Sequence, residues 1–413
     1  MINSSGSHVL ETRCCIAGGG PAGMMLGFLL ARAGVDVVVL EKHKDFLRDF
    51  RGDTIHPSTL ELIYELGLLD EFLKLPHQRV AQLSAQIGDE TIPIGDFSHL
   101  KTRCKFIALM PQWDFLDFLA DHGRTYPTFK LILEAKVIDL LYDQDLVIGV
   151  KAETPDGPLE IRASLTVGAD GRRSTVRERA DLKVEELGAP IDVLWFRVRR
   201  LQSDPGQVLG RFSRGKIMVM LDRGDYWQCG FVIAKGSFEE IKQRGLESFH
   251  QDLLGVAPFL SDRIEELNNW GHIKLLTVAV DRLLKWYRPG LLCIGDAAHA
   301  MSPVGGVGIN LAIQDAVATA NLLAEKLATN NVTRTDLEMV QNRRLLPTRL
   351  IQAAQVFIQK RVLGRALENT RETSVPWVLK LFRYFPILRR IPAYLVGIGV
   401  RPEHIQTKEI IHR

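Results

Sequence analysis

The stretch from Cys14 to Glu41 constrains this chain more than any other. A short apolar run ends at Ala17, and the turn Gly18-Gly19-Gly20-Pro21-Ala22-Gly23 follows. An apolar helix then runs to about Ala33, Gly34 closes it, and a buried strand, Asp36 to Leu40, leads into Glu41. Strand, glycine turn, helix and strand stand in the order that a dinucleotide site needs. Gly18 permits the tight turn, Gly20 leaves room for a pyrophosphate against the backbone, and Gly23 lets the helix close on the strand. Pro21 suits a first helical turn, and the helix start offers N–H groups and a positive dipole end to phosphates. Glu41 lies about twenty residues on, where a carboxylate accepts hydrogen bonds from ribose hydroxyls. The plainer alternative is a glycine-rich turn in an ordinary βα unit, with Glu41 a solvated acid.

The chain has 413 residues, enough for a large core and for roughly two or three domains. Hydrophobic content of 46% and charged content of 24% are ordinary for a soluble globular protein. A net charge of +3 is small for this length and gives no case for nucleic acid as a general partner. The five cysteines include no C-x-x-C pair, so neither a zinc site nor a disulfide framework is indicated. Cys14, Cys15 and Cys293 read as inert core residues, and reduced thiols fit a cytoplasmic setting. Met1 to Thr12 read as a frayed tail rather than a secretory signal. No uninterrupted apolar run reaches membrane-spanning length.

After Glu41 a polar link contains Arg48 and Arg51-Gly52, and a helix follows with Pro57 in its first turn. Val80 to Ala108 read as strands that leave the first domain to start a second sheet. Met110-Pro111-Gln112-Trp113 open another helix. Strands at Lys130–Leu133, Val137–Leu141, Leu146–Thr154 and Leu159–Ala163 form an inserted meander, and Leu165–Ala169 a separate buried strand. Val193–Arg199, Lys216–Leu221 and Tyr226–Ile233 belong to the second sheet, followed by one helical segment, Ser237 to Leu254. A buried strand, Leu291 to Ile294, ends in Gly295-Asp296, and the loop Pro303 to Asn310 opens a long helix to about Ala328. A further helix covers roughly Thr335 to Asn369.

Three strand ends thus carry glycine or acid: the glycine turn, Asp170-Gly171 and Gly295-Asp296. In an open α/β sheet such ends meet at the ligand crevice. This combination resembles the flavin-dependent aromatic hydroxylases, the single-component monooxygenases built like para-hydroxybenzoate hydroxylase. The resemblance covers roughly Cys14 to Leu327. It implies an α/β fold: a Rossmann-like FAD-binding domain, a second mixed β-sheet substrate domain and a helical C-terminal segment. The implied FAD-binding parts are 1–79, 109–188 and 285–330; the substrate parts are 80–108 and 189–284; the helical segment is 331–413.

By that resemblance Gly18, Gly20, Pro21, Ala22 and Gly23 cradle the FAD pyrophosphate, and Glu41 with Lys42 meets the adenosine end. Arg51 matches an arginine near the flavin, and Gln112 a polar residue that contacts the linker. Asp170 and Gly171 belong to a motif that handles FAD and NAD(P)H; Gly295 and Asp296 bind the ribityl hydroxyls. Pro303, Gly306, Gly308, Ile309 and Asn310 form the loop whose backbone N–H groups stabilise reduced flavin. His299 receives no base role. Arg172, Arg173 and Arg177 are either a phosphate contact or a solvated face. This sequence has no second glycine fingerprint, which fits an NAD(P)H that binds transiently.

The implied activity hydroxylates or epoxidises a small hydrophobic, aromatic or quinone-like substrate with NAD(P)H and O2 through a C4a-hydroperoxyflavin. No metal is implied, and the chain is read as monomer or homodimer. Trp195, Phe196, Arg197, Trp227, Phe231 and Trp270 are candidates for the substrate wall, with strand packing as the alternative for each. Two other readings remain: a geranylgeranyl-reductase-like or halogenase-like enzyme of the same fold, and a flavin-binding protein with little turnover. The apolar, basic tail from Val375 to Val400 is either a docked helix or a peripheral membrane contact.

Overall fold

The computed structural model describes residues 8–47, 54–206, 210–368 and 375–410. Arg51 lies outside them.

The principal sheet runs, in spatial order, Tyr287–Arg288, Leu291–Cys293, Gly157–Gly168, His8–Ala17, Val37–Leu40 and Phe129–Ile132. The last five pair in parallel. The central side chains, Cys14 to Ala17, Val37 to Leu40 and Leu291 to Cys293, are buried, as strands inside a parallel sheet usually are. Pro21–Arg32 is buried along almost its whole length and packs on Gly308–Ala328.

Two expectations need correction. His8 to Thr12 do not fray but begin the first strand, paired in register from His8↔Leu159 to Thr12↔Ala163. That ladder is backbone hydrogen bonding, indifferent to the polar side chains that misled the reading. Leu159–Ala163 and Leu165–Ala169 are not two strands: Gly157–Gly168 is continuous. Its first half carries the hairpin of Leu146–Thr154 and Lys136–Asp143, and its second half pairs with Leu291–Cys293. The meander therefore grows out of the principal sheet. Val304–Ala328 is long and apolar enough to cross a membrane, though Asp315 interrupts its apolar run, and 72% of its apolar window is buried in the fold. It is a core helix.

The second sheet has seven strands, in the order Lys274–Leu276, Ile191–Arg199, Tyr226–Ala234, Lys216–Asp222, Gly210–Ser213, Gln82–Ile87 and Glu90–Asp96. One face packs under two helices, Phe238–Gln243 and Leu246–Leu254, broken apart at Gly245, whose φ is 88°. A three-stranded sheet, Thr54–Ile55, Ile107–Leu109 and Gln78–Val80, joins the two bodies. Strands this short show no alternation, so the sequence did not announce them. The helix Arg334–Ile358 continues through a π-helical turn, Gln359–Leu363, into Gly364–Glu368.

A buried ionic chain locks the C-terminal part onto this frame. Asp315, fully buried, accepts from Arg344 Nε at 3.0 Å, and His299 Nε2 lies 2.5 Å away. Burial alone would raise the Asp315 carboxyl, but His299 and Arg344 hold it below the usual carboxylate range. Arg344 also donates to Glu403 at 3.2 Å and to the Arg401 carbonyl at 3.2 Å. Arg344→Met leaves two buried carboxylates short of a partner and is expected to destabilise the fold by about 3–5 kcal/mol. Arg343→Met removes a half-exposed partner of Glu403 and should cost about 1 kcal/mol or less. Urea unfolding of both variants checks the contrast; equal losses would show that Arg344 is no more than a surface pair.

Candidate functional site

Three corners lie side by side because their strands do. Gly18 N–H donates to the Leu40 carbonyl at 2.8 Å, Ala169 N–H to Ala17 at 2.8 Å, and Ile294 N–H to Gly168 at 2.9 Å. Each turn thus begins where its neighbour ends. Gly18 adopts a φ of 109°, and a Cβ there would sit 2.4 Å from the Ala169 carbonyl oxygen. A Cβ on Gly23 would sit 1.9 Å from the Gly18 carbonyl oxygen, so the helix start can press on the turn only without a side chain. A Cβ on Gly20, by contrast, would meet nothing within 4 Å. That open space at the helix start is where an anion can reach the backbone.

Around this row stand the other predicted residues. Pro21 is the first residue of its helix, and Ala22 is buried. A Cβ on Gly295 would touch the Ala22 methyl at 3.1 Å and the Ala312 methyl at 3.2 Å, so the third corner abuts both helices. The Glu41 carboxylate accepts from Gly19 N–H and His43 N–H, each at 3.1 Å. Lys42 is exposed. Gln112 begins the helix Gln112–Arg124 and is buried.

Asp170 and Gly171 form a tight turn, Gly171 with a φ of 86°. Asp170 accepts from Ser174 Oγ at 2.5 Å and Val176 N–H at 3.1 Å, holding the start of the next helix. Burial pushes its carboxyl up, against these hydrogen bonds. Asp296 is one-third exposed and accepts from Arg172 Nε at 3.1 Å. Arg177 turns inward to the Arg172 carbonyl at 2.5 Å and to Asp281 at 3.4 Å, while Arg173 is exposed. Two of the three arginines are therefore engaged with the protein.

The loop from Pro303 to Asn310 is clasped from below. Gly305 and Gly306 have φ of 80° and 64°. Thr54 Oγ1 donates to the Gly306 carbonyl at 3.0 Å. The Asn310 side chain accepts from His56 N–H at 3.0 Å and Thr59 Oγ1 at 2.7 Å. Gly308 and Ile309 open the helix Gly308–Ala328, whose first amides have no partner inside the helix. Sequence reasoning missed His56. It is fully buried, and its Nδ1 lies 2.7 Å from the Val396 carbonyl. Burial pulls it down to about 4 against that hydrogen bond. The available signal was its place just before a helix-opening proline.

The substrate-wall candidates divide between the faces of the second sheet. Trp195 and Arg197 point away from the covering helices; the Trp195 ring lies over Gly230, and Arg197 stacks on Tyr226 at 4.9 Å. Trp227 and Phe231 point the other way and are corrected to packing residues. Trp227 is 2% exposed and donates to Asp204 at 2.7 Å; Phe231 meets Phe249 edge-on at 5.5 Å. Phe196 and Trp270 join the same cluster. Strand alternation carries every second aromatic into that core.

The family model for the FAD binding domain matches residues 11–354. The chain belongs to that family, and the resemblance read from its three motifs is borne out. Among its relatives is the 6-methylpretetramide 4-monooxygenase of Streptomyces rimosus, 30% identical over 94% of this chain and 93% of that one. The dialkyldecalin synthase of Streptomyces rugosporus is 27% identical over 73% of this chain and 63% of its own length. In structure, a probable FAD-dependent monooxygenase from Pseudomonas aeruginosa superposes with a TM-score of 0.72 at 22% identity. It covers 87% of this chain and 99% of that one.

Gly20→Ala is expected to leave the melting temperature near wild type while lowering retained FAD, because its Cβ enters the open space. Gly23→Ala should lower both; a Gly20 variant that keeps full flavin after dialysis would refute the placement. His56 is neutral in the fold, so its contribution to stability is intact above about 6.5 and is lost as pH falls towards about 4. Melting curves across that range should fall less steeply for His56→Gln than for wild type.

Proposed function

We propose that this protein is an FAD-dependent monooxygenase that uses NAD(P)H and O2 to hydroxylate or epoxidise an aromatic or polycyclic small molecule. The observation that carries the reading is the row of three corners with open space at Gly20, in a chain of the FAD-binding family. Gly18, Gly20, Pro21, Ala22 and Gly23 would hold the pyrophosphate on the helix start. Glu41, with Lys42 beside it, would receive the adenosine ribose, and Gln112 the linker. Gly295 and Asp296 would hold the ribityl chain, with Arg172 setting the Asp296 carboxylate. Pro303, Gly306, Gly308, Ile309 and Asn310 would aim backbone amides at the charge of the reduced ring. Asp170 and Gly171 keep the middle corner in shape. Arg51 remains a proposal from the motif alone.

Bound FAD would supply acceptance of a hydride from NAD(P)H and activation of O2. The chain's own part is to orient a flat substrate against Trp195 and the neighbouring apolar face, and to exclude water from it. The relatives' names support a phenolic or polyketide-like substrate. Five free, buried cysteines fit a reducing cytoplasm. A relative named as a synthase rather than a monooxygenase favours a second reading, a flavin-binding protein with little redox turnover.

Purified protein with NADH or NADPH and a panel of phenols and polycyclic aromatics should show substrate-stimulated coenzyme oxidation with matching oxygen uptake. Asp296→Ala should lower flavin content and this activity together. Flavin that neither coenzyme reduces with any compound of the panel would sink the monooxygenase reading in favour of the second.

A further inference from the structure

The segment that follows the FAD-binding core carries an unusual surface. From Ser374 to Pro402 the sequence holds Lys380, Arg383, Arg389, Arg390 and Arg401 and no acidic residue. It folds as the helix Trp377–Tyr384, the turn Pro386–Arg389 and the helix Arg390–Gly397. The segment is docked, not loose. Ala393 and Gly397 are buried, and a Cβ on Gly397 would sit 2.9 Å from Leu100, so small residues seat the second helix close on the body. With its inner face so anchored, the outer face is strongly apolar. Tyr384 is 71% exposed, Ile387 64% and Ile391 60%, with Phe385, Tyr394 and Leu395 beside them. Exposed large apolar side chains in one contiguous run mark a contact surface rather than a normal scatter.

The charges select what covers it. Lys380 and Arg390 are exposed beside the apolar residues. Arg383 is exposed and pairs with Glu90 at 3.0 Å. Arg389 donates to the Phe382 and Arg383 carbonyls, with Asp96 nearby. A second copy meeting this face through a two-fold axis would bring the same basic side chains together, with no carboxylate of the segment to offset them. An anionic bilayer complements both features: apolar side chains enter the acyl boundary while Lys and Arg reach the headgroups. We propose that this face, from Lys380 to Leu395, is a docking surface for an anionic lipid membrane. The inner side of the same helix belongs to the apolar cluster of Trp195, Val219 and Leu221. An apolar substrate dissolved in lipid would so arrive beside the proposed substrate face; this last link rests on the monooxygenase reading, while lipid binding does not.

The test is co-sedimentation of the full, flavin-loaded chain with vesicles of phosphatidylcholine, with and without phosphatidylglycerol. Binding is expected only with the anionic lipid and should weaken as salt is added. Neutralising Arg390 (Arg390→Ala) should weaken it about fivefold, and Ile391→Ser about tenfold, with flavin content and melting temperature unchanged. Lys380→Ala, on the other helix, gives an independent check. No association at low salt, or equal association with both lipids, overturns the proposal. So does a wild-type dimer in sedimentation velocity that Ile391→Ser converts to monomer.

Discussion

The candidate site depends on one constraint: parallel backbone pairing of three strands whose sequence positions lie far apart. His8–Ala17, Gly157–Gly168 and Leu291–Cys293 are neighbours, and their last residues are level because the ladder registers them. The hydrogen bonds from Gly18, Ala169 and Ile294 carry that register one residue past the strands, into the turns. Shifting any strand by one residue would flip its side chains between faces and move its corner out of line. The site is therefore as precise as the sheet, and the glycines matter because backbone passes so close to backbone there.

Two further arrangements hold the corners. Asp315 accepts from the Gly295 amide at 3.1 Å while engaging His299 and Arg344, so one buried carboxylate fixes the third corner, its helix and the C-terminal chain. Such a buried group is stable when its lone pairs are engaged, and His299, Arg344 and the Gly295 amide engage them. Asn310 does the corresponding work for the glycine loop, donating to the Thr54 carbonyl and accepting from His56 N–H and Thr59 Oγ1. His56 in turn reaches the Val396 carbonyl, so the loop and the docked tail are mechanically joined.

Much of this was legible. Local features with a strong physical signature, such as the Gly18–Gly23 turn, the helix opened by Pro57 and the apolar runs before Asp170 and Gly295, lie where they were expected. What failed did so for identifiable reasons. His8–Thr12 look like a tail because a strand can be built from polar residues when its partner supplies the ladder. Trp227 and Phe231 look like pocket walls because alternation tells which residues share a face but not which face meets the ligand.

The sequence by itself determined the dinucleotide turn, the order of the three motifs and hence the family, because each is a local pattern with one structural solution. Tertiary structure decided the rest. It put Trp195 and Arg197 on one face of the second sheet and Trp227 and Phe231 on the other, paired Arg172 with Asp296, buried Asp315 among its partners and turned Ile387, Ile391 and Tyr394 outward. Those outcomes depend on contacts between residues tens to hundreds of positions apart, and composition and spacing carry no information about which distant surface a side chain will meet.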